Sequence, residues 1–175
     1  MDRVVISREM DDARARPHEL LAAAGAADLR RRSDATRWTN EQLLFHMVFG
    51  YLVVRVLLPL RVVSRLPAPA GPPLMNSARG PFHVINYWGS IAAARVFDHA
   101  RMGRLVDRTI AALQRHLLRE PEVALHRGMP FPTSWDTYFT PYMTLAEVYR
   151  YPTRHFEHHR RQLTLPGAQA GGRRG

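Results

Sequence analysis

A chain of 175 residues is long enough to fold as one domain around a buried core. It has no cysteine, which excludes disulfides, thiolate nucleophiles and cysteine-held zinc or iron–sulfur centres, so any metal must be held by nitrogen and oxygen. The formal charge of +10 comes from 25 basic residues, all arginine and spread along every segment, which predicts a solvated surface rather than the concentrated basic face of a nucleic-acid binder.

The stretch Met1–Glu9 turns charged before the apolar region of an export signal can form, so the expected location is the cytoplasm. Ser7, with Glu9, Asp11 and Asp12 behind it, reads as the start of a first helix over about 8–24, with Gly25 as its stop. Pro17 predicts a kink there, or a later true start. Thr39, Asn40, Glu41 and Gln42 form a capping box with Trp38 as its hydrophobic staple, opening a second helix to about Leu66. Its apolar stripe runs Leu43, Met47, Gly50, Val54, Leu57 and Leu58, with His46 on the same face. His46, Arg55, Pro59 and Arg61 interrupt the apolar run, which predicts a buried helix and no membrane span.

Pro67 to Pro81 has the composition of a long, solvated connection, which suits a crossover and predicts early proteolysis. Residues 83–119 read as mostly helical, in two pieces broken near Gly103, with Leu105, Val106, Ile110, Leu113 and Leu117 on one face and Pro121 as the end. Gly128 to Pro141 carries Met129, Phe131, Trp135, Tyr138 and Phe139 among prolines and glycine, and reads as an aromatic loop over one end of a bundle. Thr144 to Glu147 is a second capping box, opening a last helix to about Leu163 that Pro152 should bend. The domain is read as 1–166 and the Gly/Arg-rich remainder, 167–175, as a disordered tail.

On the last helix the inward stripe is Leu145, Val148, Pro152, His155, His159 and Gln162, so His155 and His159 face the core together. Four-residue spacing is the geometry of a two-histidine helical chelate. His46 lies about 10 Å inside its own helix. If the two helices are antiparallel neighbours, all three imidazoles meet at one level. Alone, His46 would be read as a core histidine bonded to a carbonyl or hydroxyl; the inward pair favours a metal, because neighbouring core imidazoles need partners. His158 falls about 100° away from His159 on the helix, on the flank. Glu157 is wrongly spaced for a zincin base, and Glu147 is occupied by its cap. His18, His83, His116 and His126 read as solvent-facing or local, and His99 beside Asp98 as a weak outsider.

The stretches Trp38-Thr39-Asn40-Glu41-Gln42-Leu43-Leu44-Phe45-His46 and His155-Phe156-Glu157-His158-His159-Arg160-Arg161-Gln162-Leu163 resemble the DinB-like superfamily. The resemblance implies an all-α fold, a four-helix bundle in up-down-down-up order with a long crossover and room for an extra helix between its second and third helices. It also implies a divalent metal, zinc or nickel, on His46, His155 and His159. Several relatives are S-transferases or isomerases dependent on mycothiol or bacillithiol. By that likeness the chain is expected to act on a small-molecule substrate with a low-molecular-weight thiol, independent of membrane and nucleic acid and with a homodimer as one arrangement. The other reading the sequence leaves open is a non-catalytic metal- or ligand-binding bundle.

Overall fold

A computed structural model describes residues 2–60, 79–96, 98–130, 133 and 136–168. In chain order its elements are α1 (Asp2–Ala23), α2 (Ala26–Arg30), α3 (Asn40–Leu60), α4 (Arg79–Val96), α5 (His99–Arg119), α6 (Glu122–Leu125), β1 (Gly128–Pro130), β2 (Tyr142–Thr144) and α7 (Leu145–Arg160). The fold is an all-α bundle. Helix α1 packs on α5 and α7, α3 packs on the same two, and α4 lies against α3 as the extra helix that precedes α5. One core joins them, with Ile6 and Met10 of α1, Leu43, Met47, Tyr51 and Val54 of α3, Ile110, Leu113 and Leu117 of α5, and Val148, Tyr149 and Phe156 of α7 all buried. Among the described residues, no helix is long and apolar enough to cross a membrane.

Helix α1 begins at Asp2, well before the expected start at Ser7, because Ile6 and Met10 are buried against the core and draw the helix toward its N-terminus. Ser7 is an interior residue whose carbonyl accepts from Gln114 Nε2 at 3.2 Å. Pro17 lies buried inside the same helix, which ends just before Gly25.

The Thr39 box forms as expected: Thr39 N–H donates to Gln42 Oε1 at 3.1 Å, and Gln42 N–H to Thr39 Oγ1 at 3.4 Å. Next to it Asn40, fully buried, donates to Asp28 O and Thr164 Oγ1 at 2.8 Å each and accepts from Thr164 N–H at 3.0 Å. These bonds fix the start of α3 against the segment that follows α7, and so set the relative depth of the histidines on the two helices. The predicted continuation of this helix past Leu60, and the connection from Pro67 as far as residue 78, lie outside the described residues.

The expected break at Gly103 falls instead between Val96 and His99, where Asp98 caps α5 by accepting from Arg101 N–H at 2.7 Å. Gly103 is buried within α5, and a Cβ there would come within 2.9 Å of the His18 ring, so the glycine permits a close approach of α1 rather than a stop. His18 is thereby held where its Nε2 reaches Asp107 Oδ1 at 3.1 Å, a pairing its solitary place in the sequence does not suggest.

The region expected to be a plain aromatic loop is bounded by paired strands, with Gly128 opposite Thr144, Met129 opposite Met143 and Pro130 opposite Tyr142, antiparallel. Phe131 and Trp135 lie outside the described residues. Phe139 is buried on Tyr151 with ring centroids 4.3 Å apart, which anchors the loop on α7. The last helix opens on its capping box, Thr144 N–H donating to Glu147 Oε2 at 2.7 Å and Glu147 N–H to Thr144 Oγ1 at 3.2 Å. It ends at Arg160 and tightens into turns through Leu163. Leu163, Leu165 and Ala168 are buried, and the Arg160 guanidinium donates to the Ala168 carbonyl, so packing reaches two residues into the segment read as a tail. The rest of that segment lies outside the described residues.

Candidate metal centre

Helices α3 and α7 bring His46, His155 and His159 together, with one nitrogen of each within 4.8 Å of the others. His46 Nε2 stands 3.1 Å from His159 Nε2 and 3.2 Å from His155 Nε2. Two nitrogens held at about 2.0–2.1 Å from one tetrahedral ion lie roughly 3.4 Å apart, so these separations suit a shared cation.

The outer ring nitrogens show which lone pairs face inward. His46 Nδ1 donates to Asn86 Oδ1 of α4 at 2.9 Å, and His159 Nδ1 donates to Gln162 Oε1 at 2.6 Å. Both protons are thereby placed on Nδ1, leaving two Nε2 lone pairs facing each other across 3.1 Å. That arrangement is repulsive unless a cation lies between them. His155 differs: its Nδ1 is buried without a hydrogen-bond partner, against Gly50 of α3. Coordination through His155 Nε2 leaves the ring proton on that unpartnered nitrogen, at a cost of about 1–3 kcal/mol that the metal bond must offset.

Burial keeps all three rings neutral, which is the form a ligand needs. His46 is pushed down to about 3, mainly by burial and next by the neighbouring His159, while its bond to Asn86 acts the other way. Burial, then His46 and His159, hold His155 well below the ordinary histidine value. His159, partly exposed, is lowered by burial despite the opposing bond to Gln162. The donor set, the inward lone pairs and the neutral rings all fit a divalent ion.

Sequence reasoning had these three residues and missed much of their support. Trp38, expected as a staple, packs against the core and lays its indole over His46 with centroids 4.4 Å apart. Asn86 belongs to no motif that would single it out; it is only the one amide side chain of α4. Asp136, in no motif either, lies in the aromatic loop with Oδ2 at 3.6 Å from His155 Nε2 and accepts from the Tyr151 hydroxyl at 3.0 Å. Burial and the adjacent Asp136 push the Tyr151 hydroxyl far above its ordinary value, so it stays a donor. His158 falls outside the cluster, as its place on the flank predicts, with Nδ1 3.0 Å from the Tyr138 hydroxyl. His99 is away from the site, 4.0 Å from Glu41, and Glu157 is paired with Arg160 at 2.8 Å.

Gly50 allows the His155 ring to lie against α3, since a Cβ there would stand 2.8 Å from Nδ1 and 3.3 Å from Cε1. The ring, almost wholly buried, has little room to retreat. Gly50→Ala should therefore turn His155 off the shared point and weaken Zn2+ binding about 10–100-fold, the range seen when support for a ligand is lost. Zinc titration against a competing chelator checks this. A variant that binds like the wild type would show that the ring is not fixed by this contact.

A helical bundle in which three imidazoles converge from two helices is an arrangement that could hold a metal ion. The family model described as the DinB superfamily matches residues 9–163, and the chain belongs to that superfamily. None of the curated proteins or solved structures compared with the chain matches it.

Proposed function

We propose that the chain is a metal-dependent enzyme of the cytoplasm that uses His46, His155 and His159 to hold a divalent ion, zinc or nickel, and transfers or isomerises a small molecule with a low-molecular-weight thiol such as mycothiol or bacillithiol. The observation that supports it is the pair of inward lone pairs on His46 and His159, 3.1 Å apart and fixed by Asn86 and Gln162. When bound, the ion would lower the pKa of a thiol or water in its open position and supply a nucleophile at neutral pH. The three rings accept the ion while neutral, Asn86 and Gln162 hold two of them in the required tautomer, and Trp38 with the apolar residues around it keeps bulk water from His46. His159, the most exposed of the three, marks the side from which a small molecule reaches the site.

The near-complete burial of His46 and His155 favours the second reading, a metal-binding bundle without chemistry. One comparison separates the two. With a small thiol and a panel of electrophiles, protein replete with zinc or nickel should transfer the thiol faster than the chelator-stripped form. His46→Ala should lose that rate, whereas a change at exposed His116 should keep it. Metal-replete protein with no rate on mycothiol, bacillithiol or glutathione would overturn the enzyme reading and leave the binding one.

A further inference from the structure

From the loop between β1 and β2 a carboxylate, Asp136, stands against one histidine of the cluster, His155. Asp136 is held at both oxygens: Oδ1 accepts from Tyr138 N–H at 2.9 Å, and Oδ2 accepts from the Tyr151 hydroxyl at 3.0 Å. Tyr151 stands one helical turn before His155 on α7, and Phe139 packs on its ring, so the loop is pinned where it delivers this side chain. The result is Oδ2 at 3.6 Å from His155 Nε2, close to the roughly 3.4 Å that separates two ligands of one tetrahedral ion. The Asp136 side chain is only 17 % exposed, and an ionised carboxylate this well covered requires a charged or donating partner. Tyr138 N–H and the Tyr151 hydroxyl supply two donors, while neutral imidazoles supply no charge.

We propose that Asp136 is a fourth ligand of the metal site, its Oδ2 completing a set of three histidines and one carboxylate, with Tyr151 as the positioning residue that aims it. This rests on the reading of His46, His155 and His159 as metal ligands. Oxygen from a carboxylate is a strong ligand for zinc and for nickel, and it lowers the net charge of the bound centre from +2 to about +1.

The test is metal binding rather than turnover. Wild type, Asp136→Asn, Tyr151→Phe and His158→Ala are titrated with Zn2+ against a competing chelator, and each is loaded with Co2+ so that its visible absorption reports coordination number and ligand type. Asp136→Asn should bind Zn2+ about 100-fold more weakly and show an altered Co2+ spectrum, and Tyr151→Phe should lose roughly 10-fold as a lost supporting bond does. His158→Ala should match the wild type. Thermal unfolding of the stripped proteins shows that each variant is folded, and Tyr151→Phe keeps the aromatic packing should Asp136→Asn fail to fold. Wild type that binds metal, with Asp136→Asn unchanged in affinity and spectrum, overturns this ligand alone. Wild type that binds neither Zn2+ nor Co2+ overturns the three-histidine site, and the fourth ligand with it.

Discussion

His155→Ala, and equally His46→Ala or His159→Ala, should lower the affinity for Zn2+ about a thousandfold. Structural zinc sites with four ligands bind with roughly 10–16 kcal/mol, so one strong ligand is worth on the order of 4 kcal/mol, and each factor of ten is about 1.4 kcal/mol. His158→Ala should change affinity less than about threefold, because that imidazole is turned toward Tyr138 and only its edge meets His159. Competition titration of the four variants beside the wild type decides the matter. Loss of zinc by His158→Ala with retention by His159→Ala would reverse the assignment of the inward face of α7. The truncations also remove buried bulk, so the metal-free variants should be compared by thermal unfolding; a variant that binds poorly yet melts like the wild type has lost a ligand and not its fold.

The histidines were legible because local rules place them. The capping boxes at Thr39 and Thr144 fix where two helices start, helical periodicity then turns His46, His155 and His159 inward, and both boxes form with the expected hydrogen bonds. Asn86 and Asp136 obey no such rule. Asn86 reaches His46 from α4, whose position depends on packing against α3 and not on its own pattern. Asp136 reaches His155 because Phe139 and Tyr151 pin an irregular loop, and neither contact leaves a periodic trace. Gly103 shows the same limit from the other side. A glycine in a helical pattern reads as a stop, yet α5 runs through Gly103 from a polar cap at Asp98, and the glycine's use lies in a contact with His18 that joins residues far apart in the chain.

Stability of the chelator-stripped protein should fall as the pH drops below about 6.5, before any carboxylate titrates. His46 has an ordinary value of 6.5 and is pushed down to about 3 in the fold. Above 6.5 the ring is neutral folded or unfolded, and the group contributes no pH dependence. Below it the unfolded chain takes up a proton that the buried ring refuses, so the unfolded state is favoured, by about 1.4 kcal/mol per pH unit, until the folded ring itself titrates near 3. At pH 5 His46 alone then costs about 2 kcal/mol. His155 and His159, both lowered, act in the same direction. The carboxylates whose folded values are lowered, Asp107, Glu122 and Glu147, act only near and below their ordinary values of 3.8 for the aspartate and 4.5 for the glutamates, so the window from 6.5 to about 5 belongs to the histidines. Urea unfolding of stripped protein at pH 7.5, 6.5, 5.5 and 5.0 reads this out. His46→Gln, which keeps much of the bulk and removes one titrating group, should flatten the decline by up to one proton's worth. Zinc should raise stability at neutral pH and steepen the loss on acidification, because protons then compete with the ion for the same nitrogens. A stripped protein equally stable at pH 7.5 and pH 5.0 would mean that the three rings accept protons in the fold, and that the cluster is wetter than its burial indicates.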